Sequence, residues 1–286
     1  MAVALHRLTQ WIGQRPALDK VGDALMWVLG PTFNSRLVKN AANGTWLGHP
    51  LHPLLVTLPI GTWAGSGLLD LLGEDNEQAA DTLLTTGVIS ALPTAMAGLA
   101  QWVDTYGPPR RIGAAHAMAN NAALALQLAS VVARRQGHRG LGKGLSFAAL
   151  GLVSGAGYLG GHLSYALGVG VDHTAFHDPL EDWTSTDVAA AAVPDDAPVT
   201  ARAGERQIML ARHDGEIVAY DAVCTHAGGP LGEGTIVDGC VRCPWHGSMF
   251  SLADGSVVEA PATTPQPRYD VRLSGGLIEV RAALPA

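Results

Sequence analysis

The chain contains Cys224-Thr225-His226 and, after a spacer of sixteen residues, Cys243-Pro244-Trp245-His246-Gly247. Two thiolates and two imidazoles at this spacing can be brought together by two neighbouring hairpin loops, where they can bind iron or zinc. In a zinc finger the paired ligands are normally alike and the histidines lie on a helix, whereas each loop here mixes cysteine with histidine. The stretch therefore predicts a metal centre, with zinc as the less favoured metal.

Short segments of alternating polar and apolar residues surround these two loops. The turn sequences Asp214-Gly215, Asp254-Gly255 and Gly275-Gly276 separate several of them. This pattern is typical of a small antiparallel all-β domain, either a sandwich or a barrel. The predicted strands lie at 199–203, 207–211, 216–220, 257–258, 269–273 and 277–280.

The two loops and their surroundings resemble the Rieske family of iron–sulfur domains. The features in common are Cys-x-His, Cys-x-x-His, Gly229-Pro230-Leu231, Gly247-Ser248-Met249-Phe250 and Asp254-Gly255, within about residues 193–282. The resemblance implies a [2Fe–2S] cluster, with Cys224 and Cys243 on one iron and His226 and His246 on the other. Neutral imidazoles reduce the negative charge of such a cluster, which raises its reduction potential above that of an all-cysteine cluster. The histidines are expected at the exposed edge through which an electron leaves.

Some positions differ from the quinol-oxidising branch of the family. Gly229 and Trp245 stand where that branch has two disulfide-bonded cysteines, and Phe250 stands where it usually has a tyrosine. One hydroxyl donor to the cluster is therefore absent, while that of Ser248 is available. Cys240 has no partner in this pattern and is interpreted as a small buried hydrophobic residue. These differences favour the ferredoxin-like branch and a potential in the lower or middle part of the Rieske range.

The first 171 residues differ in character from the rest of the chain. They carry 11 Lys and Arg against 8 Asp and Glu, whereas residues 172–286 carry 7 against 17, so the net charges are +3 and −10. Four stretches in the first part have no charge over 30, 22, 22 and 28 residues. Each is longer than the roughly 20 residues that a membrane-spanning helix needs. They predict a four-helix transmembrane bundle with spans at about 53–73, 83–103, 113–133 and 147–170.

The segments around this bundle complete the predicted organisation. Residues 1–44 are expected to form an amphipathic segment at the membrane surface, with no secretory signal ahead of the spans. The remaining parts are a membrane domain at 45–172, a linker at 173–196 and a Rieske domain at 197–286. Four spans place both termini on one side, which carries seven lysines and arginines against four opposite. The positive-inside rule then predicts a multi-pass protein of the cell membrane with both termini in the cytoplasm.

Several ionisable residues are expected near one membrane face of the bundle, namely His49, His52, His116, His162 and Asp104. Ionisable groups in apolar spans often mark a site. The functional interpretations are a haem b held by two facing histidines, or a quinone pocket in which histidine and Asp104 exchange protons. The alternative is that the histidines cap helix ends or bond to backbone and water.

A second resemblance covers about residues 45–172. The histidine–proline run at 47–53, the Pro59-Ile60-Gly61 turn and the segment 160–165 are similar to a family of four-helix bacterial membrane proteins designated DUF2231. This resemblance supports the membrane topology and implies no activity.

Together these features predict a membrane-anchored protein that passes single electrons between a membrane donor, quinol or haem, and a redox partner protein. The acidic C-terminal part suits a basic docking surface on that partner. A Rieske oxygenase would need a second iron site in a large further domain, and few residues follow Tyr269. The alternative function is a redox sensor or assembly factor whose cluster reports redox state. The sequence has no phosphate loop, nucleotide fingerprint or nucleophile triad, and its charge does not suit nucleic-acid binding.

Overall fold

The computed structural model describes residues 2–283 and divides into two compact units. The first, which we call the helical unit, joins Met1–Asn34 to Leu51–Val169. The second, which we call the head, joins Ser35–Pro50 to Gly170–Ala286. The chain therefore passes from one unit to the other three times.

Eight α-helices lie in the described part of the chain before the first strand. Gly73 and Gly137, with φ of 110° and 82°, follow two of the long helices, and Pro108 lies in the first turn of another. Positive φ and proline are typical of helix ends and helix starts, respectively. The helices are α1 (Ala2–Gly13), α2 (Ala17–Leu29), α3 (Arg36–Asn43), α4 (His52–Leu55), α5 (Thr57–Leu72), α6 (Glu77–Trp102), α7 (Gly107–Arg135) and α8 (Arg139–Tyr165).

The four long helices α5 to α8 lie at the four predicted spans, but the helix count differs from the prediction. Among the described residues the helical unit has seven α-helices rather than four, because α1, α2 and the short α4 belong to it as well. Three segments are long and apolar enough to cross a membrane by length and composition: His52–Leu72, Glu74–Trp102 and Arg139–Tyr165. Helix α7 is not among them, since its interior contains polar residues such as Asn120, Asn121 and Gln127.

Small side chains let the long helices pack closely. Leu84, Ala123, Ala149 and Val153 form a buried cluster with Trp63. Many large apolar side chains remain exposed on the outside of the bundle, including Leu68, Leu71, Ile89, Leu92, Leu128 and Leu152. A soluble protein rarely exposes so much contiguous apolar surface, whereas a lipid-facing surface requires it.

Among the described residues, the head is built on ten antiparallel strands. Six of them close into a barrel in the order β1-β10-β9-β4-β3-β2, and the other four form a sheet in the order β5-β6-β7-β8. The strands are β1 (Thr184–Ala189), β2 (Val199–Ala203), β3 (Arg206–His213), β4 (Glu216–Asp221), β5 (Thr235–Val237), β6 (Cys240–Arg242), β7 (Met249–Ser251), β8 (Val257–Glu259), β9 (Arg268–Ser274) and β10 (Leu277–Ala282).

The stretch 173–196, expected to be a linker, contains the barrel strand β1. Thr184 pairs with Val280 of β10, and Thr186 pairs with Ala203 of β2. This polar segment lacks the apolar alternation by which a strand is recognised in sequence. It becomes a strand because it pairs with β10 and β2. Strands β5, β6 and β7, each of three residues, also lie outside the predicted set.

Helix α3 packs against the edge of strand β8 within the head. The side-chain amide of Asn40 donates to the carbonyl oxygen of Val258 at 3.0 Å and accepts from the backbone N–H of Ala260 at 2.9 Å. The guanidinium of Arg36 donates to the same Val258 oxygen, at 2.9 Å from Nη2 and 3.2 Å from Nε. The segment expected to lie along the membrane surface thus contributes a helix to the head.

Candidate metal centre

Two loops of the head close with the same backbone hydrogen bonds. The carbonyl oxygen of Cys224 accepts from the N–H of Gly228, and that of Cys243 accepts from the N–H of Gly247, at 2.9 and 3.1 Å. The N–H of Cys224 donates to the oxygen of Gly229, and that of Cys243 donates to Ser248, at 2.9 and 2.8 Å. Gly228 and Gly247 have φ of 77° and 75°, values that favour glycine.

The two loops bring their thiols together. The exposed fractions of Cys224 and Cys243 are 1% and 3%. The thiol of Cys224 donates a hydrogen bond to the sulfur of Cys243, which lowers the pKa of Cys243 to about 6 and raises the pKa of Cys224. A pair that holds one thiolate this readily is suited to a metal, because the thiolate is the form that binds metals.

The imidazoles of the two loops also form a pair. The ring centroids of His226 and His246 lie 5.0 Å apart with the planes at 83°. Burial lowers the pKa of His226 to about 3, helped by the charges of His246, Lys39 and His173, so the ring is neutral at physiological pH. Its Nδ1 atom is buried and has no hydrogen-bond partner among the described residues. A neutral ring with an unused buried nitrogen is the form that binds a metal.

The backbone between the two pairs leaves no room for another side chain. A Cβ atom on Gly229 would lie 2.7 Å from Sγ of Cys243 and 3.2 Å from the ring of Trp245. Within residues 2–283, no three His, Cys, Asp or Glu side chains converge on one point that could hold a single metal ion. The two thiols pair with each other and the two imidazoles pair with each other, which fits the two irons of a mixed-ligand [2Fe–2S] cluster.

The exposure of these loops differs from the sequence-based expectation. Both histidines are half-buried, and the most exposed large side chain beside them is Trp245, at 55%. The ring of Trp245 lies edge-on to His246, with the centroids 6.3 Å apart. Cys240 is buried, as interpreted from sequence, and its sulfur lies 3.7 Å from the carbonyl oxygen of Asp238.

Two residues that the sequence did not single out hold the first loop in place, and a third, Lys39, affects its histidine by charge. Gln266, which is 2% exposed, donates from Nε2 to the carbonyl oxygens of Asp221 and Val223 at 2.8 and 2.7 Å. Its Oε1 lies 3.3 Å from the N–H of Thr225. The backbone N–H of His173 donates to the carbonyl oxygen of Thr225 at 3.0 Å, and Lys39 adds a positive charge near His226. No local motif marks these residues, because each acts through a distant part of the chain.

The second loop is tied to the segment that follows strand β8. The hydroxyl oxygen of Ser248 accepts from the N–H of Ala262 at 3.0 Å, and Phe250 is 1% exposed. Among the described residues, the Ser248 hydroxyl proton has no acceptor, so it can donate a further hydrogen bond. The expectation that Ser248 can act as a donor is therefore compatible with this geometry.

The histidines expected near the membrane fall into different places. His52 and His116 lie together in the helical unit, with ring centroids 6.4 Å apart, and their Nδ1 atoms bond to the carbonyl oxygens of Thr94 and Ala156. The amide of Asn120 lies 3.0 Å from Nε2 of His116. Hydrogen bonds of this kind were the expected alternative to a haem or quinone site, in which the histidines bond to backbone and polar groups.

The two remaining histidines are not part of this pair. His162 lies near His6 of α1, with ring centroids 6.1 Å apart. His49 belongs to the head, and its Nδ1 lies 3.2 Å from the carbonyl oxygen of Pro50.

Comparisons with known proteins match the two parts of the chain separately. The Rieske [2Fe-2S] domain matches residues 184–270, and the predicted membrane protein family DUF2231 matches residues 48–173. The anthranilate 1,2-dioxygenase ferredoxin subunit of Burkholderia cepacia is 35% identical over 86 residues, which are 30% of this chain and 80% of that protein. The cytochrome b6-f complex iron-sulfur subunit of Chlorobaculum tepidum is 28% identical over 94 residues, 33% of this chain and 51% of that protein.

Several solved structures are also similar to part of this chain. The ferredoxin of carbazole 1,9a-dioxygenase from Nocardioides aromaticivorans IC177 shares 21% identity with a TM-score of 0.33. The match covers 36% of this chain and 100% of the ferredoxin.

Proposed function

Because this chain belongs to the Rieske [2Fe–2S] family and carries a DUF2231 membrane domain ahead of its Rieske domain, we propose that it is a membrane-anchored carrier of single electrons. Its relatives include a ferredoxin subunit and an iron–sulfur subunit, and such proteins transfer electrons. The observation that carries the proposal is the pairing of two thiols and two imidazoles on two matching loops of the head.

Four side chains are proposed to hold the cluster. Cys224 and Cys243 bind one iron, and His226 and His246 bind the other, since the structure brings each pair together. A bound [2Fe–2S] cluster takes up and releases one electron at a time. The role of the surrounding chain is to exclude water from the thiols and to fix both loops through their glycines, with Gln266 holding the first loop as well.

The membrane topology follows from how the head is assembled. Ser35–Pro50 and Gly170–Ala286 form one compact unit, so both segments lie on the same side of the membrane. The helices between them must then cross an even number of times. We therefore assign four crossings, with α7 joining the three apolar segments although it is less apolar than they are. Polar side chains are tolerated in a span when they face the interior of a bundle.

The cell membrane, with the head and both termini in the cytoplasm, is the proposed location. The sequence-based charge bias supports this orientation. A protease added outside intact cells should leave the head uncut, and a head cleaved from the outside would reverse the orientation.

The proposed electron donor is a quinol or a haem b at the helical unit, and the acceptor is a redox partner protein of the acidic head. The pairing of His52 and His116, whose ring centroids lie 6.4 Å apart, is the observation that supports the donor side. The alternative function is a redox sensor or assembly factor, in which the cluster changes state without steady electron flow.

A redox titration of the full chain in detergent tests the ligand assignment. His246→Cys should retain a cluster but lower its reduction potential by roughly 100 mV or more, because a thiolate adds negative charge to it. His213→Asn, which changes a half-buried histidine of β3 away from both loops, is the matched control and should leave the potential unchanged. An unchanged potential in His246→Cys would refute the assignment.

The reduced-minus-oxidised optical spectrum tests the membrane donor. Sharp haem bands that are lost in both His52→Ala and His116→Ala would support haem as the donor. Broad Rieske bands alone would leave quinol as the proposed donor. Reduction of the cluster by added quinol that is followed by steady reoxidation supports a carrier. A single reduction without turnover supports the sensor.

A further inference from the structure

One face of helix α3 packs against the rest of the head. Arg36, Asn40 and Asn43 lie on this face, at intervals of four and three residues. Arg36 and Asn40 bond to strand β8, and Asn43 is buried. Lys39 follows Arg36 by three residues and precedes Asn43 by four, so it shares the same face. Lys39 is accordingly half-buried, whereas Leu37 on the other side of the helix is exposed.

The segment that α3 contacts continues past both cluster loops. The N–H of Ala260 donates to the side chain of the α3 asparagine at 2.9 Å. Two residues further on, the N–H of Ala262 donates to the hydroxyl oxygen of Ser248 in the second loop at 3.0 Å. The carbonyl oxygen of Thr264 then accepts from the hydroxyl of Thr225 in the first loop at 2.9 Å. Helix α3 is therefore fixed within a few residues of the contacts that hold both loops.

The charge of Lys39 acts on a ligand of the first loop. It contributes to the lowered pKa of His226, after burial and the charge of His246 and ahead of that of His173. A lysine ammonium is charged over the whole physiological pH range, whereas a histidine is often neutral there. A positive charge that opposes a proton on this ring favours an electron on the iron that the ring binds, because the electron has the opposite sign.

The Rieske domain itself provides little positive charge. Residues 184–270 contain 5 arginines, no lysine and 12 Asp and Glu, so their net charge is 5 − 12 = −7. Residues 35–50, in contrast, contain Arg36 and Lys39 and no acidic residue. The guanidinium of Arg36 already bonds to the carbonyl oxygen of Val258. Negative charge disfavours the uptake of an electron, so the Lys39 cation opposes the effect of the acidic domain on which α3 packs.

We propose that Lys39 raises the reduction potential of the cluster, because α3 places its positive charge beside the loop that carries His226. This inference rests on the [2Fe–2S] cluster proposed above. Lys39 acts through space and exchanges neither an electron nor a proton, and the irons still take up one electron in each reduction. A helix that precedes the membrane helices in sequence thus makes the cluster of the C-terminal domain a better electron acceptor for the membrane donor.

A redox titration of the full chain in detergent tests this effect. Lys39→Met retains the aliphatic stem and removes the charge. It should lower the equilibrium constant for cluster reduction by about threefold, which is about 28 mV at about 59 mV for each tenfold change. Lys39→Glu reverses the charge and should shift the potential by about 56 mV. Lys39→Arg should keep the wild-type potential. If Lys39→Met does not assemble a cluster, Lys39→Gln is the second neutral variant.

The matched control is Arg272→Gln, which also removes one positive charge from the head. Arg272 lies on β9 three residues beyond Tyr269, where β9 pairs with the end of β4 that leads into the first loop, and is thus about 10 Å further along the strand. This variant should change the potential much less than Lys39→Met does. An equal change would mean that only the net charge of the head matters, which would overturn the proposal.

Ionic strength separates an effect of charge from an altered loop structure. Raising KCl from about 20 mM to about 1 M shortens the Debye length to about 3 Å, so it should reduce the difference between wild type and Lys39→Met. A difference that salt leaves unchanged would assign the shift to loop structure and contradict the proposal. Wild-type potentials in both Lys39→Met and Lys39→Glu would refute the role of Lys39 and leave the proposed function intact. A wild-type chain without a Rieske signal would refute the proposed function as well.

Discussion

Replacing Asn40 by alanine should destabilise the head, although Asn40 is distant from the Rieske match in sequence. The change removes a donor to the Val258 oxygen and an acceptor for the Ala260 N–H. The Val258 oxygen keeps its hydrogen bonds from Arg36, so most of the loss arises at Ala260, which is fully buried. A buried donor left without a partner costs about 1–3 kcal/mol of unfolding free energy. For a unit of this size, that corresponds to a melting temperature lower by about 4–10 °C.

The assay is thermal loss of the cluster absorbance in the purified full chain, which reports on the head and not on the helical unit. Asn40→Asp should lie between wild type and Asn40→Ala, because a carboxylate still accepts from the Ala260 N–H. Asn121→Ala is the matched control, since the amide of Asn121 bonds to Ala117 of its own helix. If Asn40→Ala has the same melting temperature as wild type and Asn121→Ala, helix α3 does not stabilise the head and the argument from its hydrogen bonds is wrong.

Two further predictions concern the cluster loops and the barrel. Gly229→Ala should lower the iron content per chain, because its Cβ would lie 2.7 Å from Sγ of Cys243, whereas Gly144→Ala has nothing within 4 Å and should bind iron normally. Burial, assisted by the negative charge of Asp221, raises the pKa of Tyr269 to about 12. Since the folded pKa is above the ordinary value near 10, the stabilisation is complete below pH 10 and is lost as the pH rises towards 12. The ultraviolet titration of tyrosinate should contain a late phase, to which Tyr220 also contributes because burial raises its pKa as well. Tyr269→Phe should reduce the amplitude of that phase, and an unchanged amplitude would refute the assignment.

Local patterns predicted much of this protein. Cysteine and histidine in two short loops identify the metal centre because each loop is closed by hydrogen bonds among its own residues. The charge-free stretches identify the long helices because a lipid-facing surface requires apolar side chains all round. Strands β2, β9 and β10 alternate cleanly, so their positions followed from sequence as well.

The features that were missed depend on distant parts of the chain. Strand β1 is polar, and it becomes a strand through pairing with β10, where Thr184 opposes Val280. Gln266 supports the first loop across 41 to 45 residues of sequence. The buried polar face of α7, with Gln127, Ser130 and Arg134, was not recognised from sequence. The charge-free stretch indicated only a long helix, and which of its sides is buried depends on the neighbouring helices. Contacts between distant residues produce no hydrophobic periodicity, so they cannot be recognised from the sequence pattern.

The junction of α3 with β8 has a consequence for biogenesis. Asn40 is synthesised 218 residues before Val258, and the whole set of membrane helices lies between them. Helix α3 leaves the ribosome early. It cannot pack against strand β8 until the membrane helices are inserted and the last strands have been synthesised. Closure of the head over its cluster loops is therefore a late event, and it can occur only in chains whose insertion has returned residue 170 to the side where α3 was left.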